Sequence, residues 1–168
     1  MIVQIVRMGV LAGCAVLLMA CAPSANQASS ELSPVSQTEF LESIKSASGS
    51  VFLKGADINS EAVAKALVLA VTGRKANVVV LVQRDSPSNT TSKIDLVASG
   101  LKGRVISMVF VATTDAPITP FALIGNRAFY GPGLVKDGET LFVAGAGRDY
   151  TNDLAQFNTT PKRIYTGK

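Results

Sequence analysis

The sequence predicts a small α/β domain of the three-layer type, with a mixed, largely parallel sheet and helices on both faces, preceded by a disordered tether. Three observations carry this. Asn77–Val82 and Val105–Val111 are apolar runs rich in β-branched residues, the pattern of strands covered on both faces. Ahead of the first run, Val63, Ala66, Leu67, Ala70 and Val71 recur at i, i+3, i+4, i+7 and i+8, the stripe of a helix packed on a core. The chain has 168 residues, 48% hydrophobic and 17% charged, which suits one such domain plus a targeting segment.

The elements follow in order. Ser36–Glu39 has capping-box spacing, and Val35 and Phe40 stand as a hydrophobic staple. A helix is therefore expected from Gln37 to about Ala47, with Phe40, Leu41 and Ile44 on its apolar face. Gly49 ends it, and Ser50–Leu53 reads as a brief strand. The striped helix starts behind an Asn59 or Ser60 cap, carries a Glu61/Lys65 pair and exits at Gly73. After Asn77–Val82 come a loop over 86–92, a short helix Lys93–Ser99 and the strand Val105–Val111. Phe121–Ile124 and Ala128–Tyr130 form a hairpin across Gly125–Asn126–Arg127, followed by a strand Leu141–Ala144 and a helix Thr151–Phe157. Lys162, Arg163 and Lys168 read as a solvated tail.

Residues 1–20 carry one charge, Arg7, and an apolar stretch from Gly9 to Ala20, too short to span a bilayer. They read as a signal peptide. Its end, Leu18–Met19–Ala20–Cys21, resembles the bacterial lipobox, which implies diacylglyceryl modification of the Cys21 thiol and permanent anchoring by several acyl chains. Ala22 follows, where lipoproteins retained in the inner membrane usually carry Asp, so the expected place is the outer membrane, facing the periplasm. Residues 21–35 are then the acylated cysteine and a linker. Ala22–Pro34 is rich in Ser, Ala, Asn and Gln, and its thirteen residues reach roughly 45 Å at full extension. Residues 36–168 form the single folded domain.

The chain has no His, which excludes Ser/His/Asp and Cys/His nucleophilic catalysis, imidazole acid–base chemistry and most zinc sites. No metal and no cofactor are expected. Its two cysteines, Cys14 and Cys21, lie in and at the end of the leader, so the domain has no disulfide framework. Loss of the leader leaves a net charge of +3, too little to argue for nucleic-acid binding.

Asn77–Asp85 after a helix, and Thr119–Gly133 after the next strand, resemble one half of a phospholipase D-like domain. In that family the hairpin carries His-x-Lys-x4-Asp followed by a Gly-Ser turn. Aligned on Phe121, these positions are Ile118, Pro120 and Gly125, so the motif is degenerate; the Gly-Ser pair falls near Gly131–Pro132–Gly133. The resemblance implies a His nucleophile and a phosphate-holding Lys, neither of which this chain carries there.

The expected function is therefore a non-catalytic outer-membrane lipoprotein, a structural or protein-binding subunit of a cell-envelope assembly such as a secretion or conjugation apparatus. Its partners are the membrane, through the anchor, and other envelope proteins. The hairpin, with Arg127 and Tyr130, is the candidate interaction surface. The rival reading is a small periplasmic enzyme or ligand-binding module using Asp85 and Asp115, each just past a buried strand; Asp57 and Asp95 are further loop carboxylates. The Gly131–Gly133 and Gly145–Gly147 segments are read as turns rather than anion cradles.

Overall fold

The computed structural model describes residues 31–83, 90–145 and 149–167. The leader, Cys21 and Asp85 lie outside the described residues. In chain order the elements are β1 (Leu32–Pro34), α1 (Gln37–Ser46), β2 (Ser50–Gly55), α2 (Glu61–Arg74), β3 (Asn77–Val82), α3 (Ile94–Leu101), β4 (Met108–Ala112), β5 (Phe121–Ile124), β6 (Arg127–Tyr130), a 3-10 turn (Pro132–Leu134), β7 (Phe142–Ala144), α4 (Thr151–Thr159) and β8 (Lys162–Ile164).

All strands join one mixed sheet in the order β1-β7-β6-β5-β2-β3-β4-β8. Only the β2–β3 and β3–β4 pairings are parallel; the other five are antiparallel. The sheet is thus less parallel than expected. Parallel neighbours need a crossover, and only α2 and α3 supply one between adjacent strands; the remaining connections turn back antiparallel.

Strand alternation builds the layers. Val51 and Leu53, Val78, Val80 and Val82, and Val109 and Val111 point to one face and make a single core with Phe40 and Ile44 of α1, Val63, Leu67 and Ala70 of α2, and Ile94, Val97 and Leu101 of α3. The opposite face receives α4, whose Phe157 meets Phe52 at 4.8 Å and Phe110 at 5.7 Å between ring centroids, both edge-on. The Ser36 hydroxyl caps α1 by accepting from the Glu39 amide, and Ser60 caps α2 by accepting from the Val63 amide, each at 3.1 Å.

Several boundaries differ from expectation: β2 runs past the expected end at Leu53 to Gly55 and so takes in Lys54, and α2 runs past Gly73 to Arg74. Leu32–Pro34, the end of the expected tether, is an edge strand on β7. Its side chains are exposed, so main-chain hydrogen bonds hold it, with Val35 N donating to Leu141 O at 3.0 Å and Gly145 N to Glu31 O at 3.1 Å. Composition does not register such bonds. Lys162–Ile164, expected as a solvated tail, pairs with β4 and closes the other edge. Finally, β4 starts at Met108, leaving Val105 92% and Ile106 59% exposed. Gly103 turns the chain at φ +80°, and the Ser107 hydroxyl then accepts from Val78 N at 3.0 Å, so the ladder begins only beyond it.

Candidate functional site

The motif-aligned hairpin assembles no polar site from its three positions. Ile118 is buried beside Leu81 and Ala112, with Phe110 and Phe157 against them. Pro120 is half-buried just ahead of β5, while Gly125 turns the hairpin at φ +60° at the far end of that strand, about 17 Å along the chain. The expected turn at Gly131–Gly133 is present: Gly131 has φ +110°, a Cβ there would stand 2.6 Å from the Thr140 carbonyl oxygen, and Gly133 N donates to that oxygen at 3.0 Å. The Gly133 amide is thereby used inside the fold. The Gly145–Gly147 segment lies largely outside the described residues.

The two expected contact residues are divided between the faces of the sheet. Arg127 leans toward α1, bonding Glu39 at 2.6 Å and Ser43 at 3.3 Å and stacking its guanidinium 5.1 Å from the Phe129 ring. Tyr130 faces α4 and donates to the Asp153 carboxylate at 3.0 Å. Strand alternation places positions 127 and 130 on opposite sides, so they form no common surface. The carboxylates are also dispersed. Asp115 is exposed in the loop after β4; Asp57 accepts from Ile58 N and the Ser92 hydroxyl, each at 2.7 Å; Asp95 accepts from the Tyr165 hydroxyl at 2.9 Å.

Sequence reasoning missed the polar centre of the α4 face. Lys54, 1% exposed, stands on central strand β2 opposite Phe121 of β5. Its ammonium donates to the Gln156 side chain of α4 and lies 5.5 Å from the Phe121 ring centroid. Burial lowers the Lys54 pKa, and the nearby Asp153 carboxylate opposes that shift. Lys54, Tyr130, Asp153 and Gln156 thus form one connected polar cluster between sheet and helix, floored by Phe121. The available signal was Lys54 alternating with Phe52 in an otherwise apolar strand; that this strand lies mid-sheet is a tertiary fact.

A second feature of this face is apolar. Strand pairing aligns Ala128, Leu123, Phe52, Val79 and Met108 side by side across β6, β5, β2, β3 and β4. Leu123, Val79 and Met108 are half-buried and belong to neither buried apolar cluster, and Ile164 of β8, opposite Phe110, is 56% exposed.

No family model and no curated protein matches the chain. Among solved structures it is similar to a phospholipase D family member, Nuc from Salmonella typhimurium, with TM-score 0.63, 15% identity, and 80% of this chain and 99% of that one covered. NucT from Helicobacter pylori matches with TM-score 0.52 and 15% identity over 76% of this chain and 91% of that one. TrmBL2, an archaeal chromatin protein with a novel mode of DNA binding, matches with TM-score 0.52 and 16% identity over 76% of this chain and 51% of that one. The domain therefore has the α/β fold seen in phospholipase D family structures. This corrects the expectation that the chain is no enzyme: its fold is the one found in the phospholipase D family member Nuc and in NucT.

Proposed function

We propose that this chain is a lipid-anchored protein of the bacterial outer membrane whose phospholipase D-like domain binds a protein partner within a cell-envelope assembly. The carrying observation is the apolar row Leu123–Phe52–Val79–Met108, continued toward Ile164, on the sheet face that α4 meets, among the described residues, through Phe157 on Phe52 and Phe110 and through the Lys54 cluster. Half-buried apolar side chains in register over several strands, with exposed Ile164 beside them, form a contiguous patch, which suits a protein interface better than isolated exposed residues do. This surface replaces the hairpin pair Arg127 and Tyr130, whose polar groups are engaged within the fold.

The test combines Met108→Lys with Ile164→Glu and follows in-cell crosslinking and co-purification from detergent-solubilised envelopes. The double variant is expected to lose the crosslinked partner while keeping the wild-type melting temperature, and Arg127→Ala is expected to retain the partner. A wild-type protein that crosslinks to nothing, or a folded double variant that still captures its partner, overturns the reading.

A second reading draws on Lys54. A buried amine whose pKa burial lowers, beside a tyrosine and a carboxylate, suits an anionic ligand or a proton-transfer role at this face. Phosphodiesterase turnover by the purified protein, lost in Lys54→Met at unchanged fold, would favour it over the docking reading.

A further inference from the structure

Strand polarity assigns two ends to the domain. Because β1, β2, β3 and β4 run in one direction, Leu32, Ser50, Asn77 and Met108 all lie at the same end of the sheet. The chain therefore enters the fold there. Helices α2 and α3 run back to that end and finish in Arg74–Lys75 and Lys102–Gly103–Arg104, all exposed. Next come Val105 and Ile106, the former 92% exposed. The Ser107 hydroxyl, which accepts from Val78 N at 3.0 Å, ties the segment that follows these two residues to the start of β3.

Among the described residues, none of these four cations has an ion-pair partner. Among the described acids, Glu42 is paired with Lys45 at 2.7 Å, and Asp95, which lines the same groove as Lys102, accepts from the Tyr165 hydroxyl at 2.9 Å. Cations at helix C-termini complement the helix dipole, which accounts for Arg74, Lys75 and Lys102. It accounts neither for Arg104 nor for two aliphatic side chains projecting into water among the charges.

We infer that this end of the domain docks on an anionic phospholipid surface, with Lys102, Arg104, Arg74 and Lys75 at the headgroups and Val105 and Ile106 entering the interface. Unpaired cations supply charge complementarity to anionic lipid, and the aliphatic pair supplies the apolar contact. The inference rests on the lipid-anchor reading of Cys21 for its geometry. Nine residues separate Cys21 from Glu31, at most about 30 Å of chain, and they join the fold at the same end as the basic and apolar groups. The opposite end, with the loops after β2 and β4, then faces away from the bilayer.

The test uses unlipidated mature chain, residues 22–168, which retains every described residue, in flotation with vesicles of phosphatidylcholine alone or mixed with phosphatidylglycerol. Binding is expected only to the phosphatidylglycerol vesicles and is expected to weaken as salt rises. Combined Lys102→Glu and Arg104→Glu should reduce it by about 30-fold or more, and Ile106→Asp should reduce it at unchanged charge elsewhere. Absence of binding to phosphatidylglycerol vesicles at low salt, or binding that the charge reversals leave intact in folded protein, overturns the inference. So does capture of short duplex DNA at the same affinity, which would assign the cations to nucleic acid. Mass spectrometry of the native amino terminus tests the anchor separately, because flotation of the unlipidated chain does not depend on it.

Discussion

Lys54 shares its face of the sheet with Phe52 and Phe121, and a charged amine in that setting must find partners or give up its proton. Gln156 and Asp153 supply partners, yet burial still lowers its pKa from the ordinary 10.5. The sign follows directly. Between the lowered folded value and 10.5 the unfolded chain binds more protons, so this group's contribution to stability grows as pH rises through that window. Wild-type melting temperature is therefore expected to gain on the alkaline side relative to Lys54→Met, which should show no such gain. Parallel alkaline profiles for the two proteins would show that the amine titrates alike in both states. Ionic groups elsewhere matter less: the Glu61–Lys65 and Lys136–Glu139 pairs are exposed to solvent and screened by it.

Among the elements, the contact between α2 and α3 is the most tightly constrained. A Cβ on Gly100 would collide with Val68, meeting one of its methyls at 2.7 Å and its Cβ at 3.1 Å. Gly100 has helical backbone, so the constraint is the close approach of two helices rather than φ. Gly100→Ala is expected to destabilise the domain by about 1 to 3 kcal/mol, through overpacking. Val68→Ala in the same chain should recover much of that loss, and a denaturant double-mutant cycle measures the coupling. Additive effects of the two changes would show that the helices part at little cost. The sheet edges follow a different rule. Strands β1 and β8 are three residues long and held by backbone pairing, so they cover edges that would otherwise be open to other chains.

At the scale of the whole molecule, three kinds of surface are kept apart. The core helices cover one face, α4 and the apolar row occupy the other, and the basic groups sit at the end of the sheet where β1 starts, several strands across from it. In the proposed reading, an anchor at Cys21 would orient the domain and leave the sheet face open laterally to an envelope partner. Cys21→Ser is expected to abolish lipidation and remove the protein from the membrane fraction or hold it as precursor, read by fractionation and mass spectrometry. An unmodified Cys21 on a processed wild-type chain would refute the anchor.

Local pattern sufficed for much of this. The capping hydroxyls of Ser36 and Ser60, the stripe of α2, the buried run of β3 and the β5–β6 turn at Gly125 are all short-range features, and the structure places them where periodicity and capping predict. The α/β class follows from them, because buried strands alternating with amphipathic helices have few other ways to pack. Other features depend on pairings between distant segments. Leu32–Pro34 and Lys162–Ile164 become strands through main-chain bonds that their side chains do not announce. Lys54 becomes a buried centre only when α4, about a hundred residues later, closes over it. Arg127 and Tyr130, three residues apart, part company because a strand turns alternate side chains to opposite faces. The placing of Arg74, Lys75, Lys102 and Arg104 at the same end of the sheet as the start of β1 likewise depends on strand order and direction, which long-range hydrogen bonding sets and local composition does not.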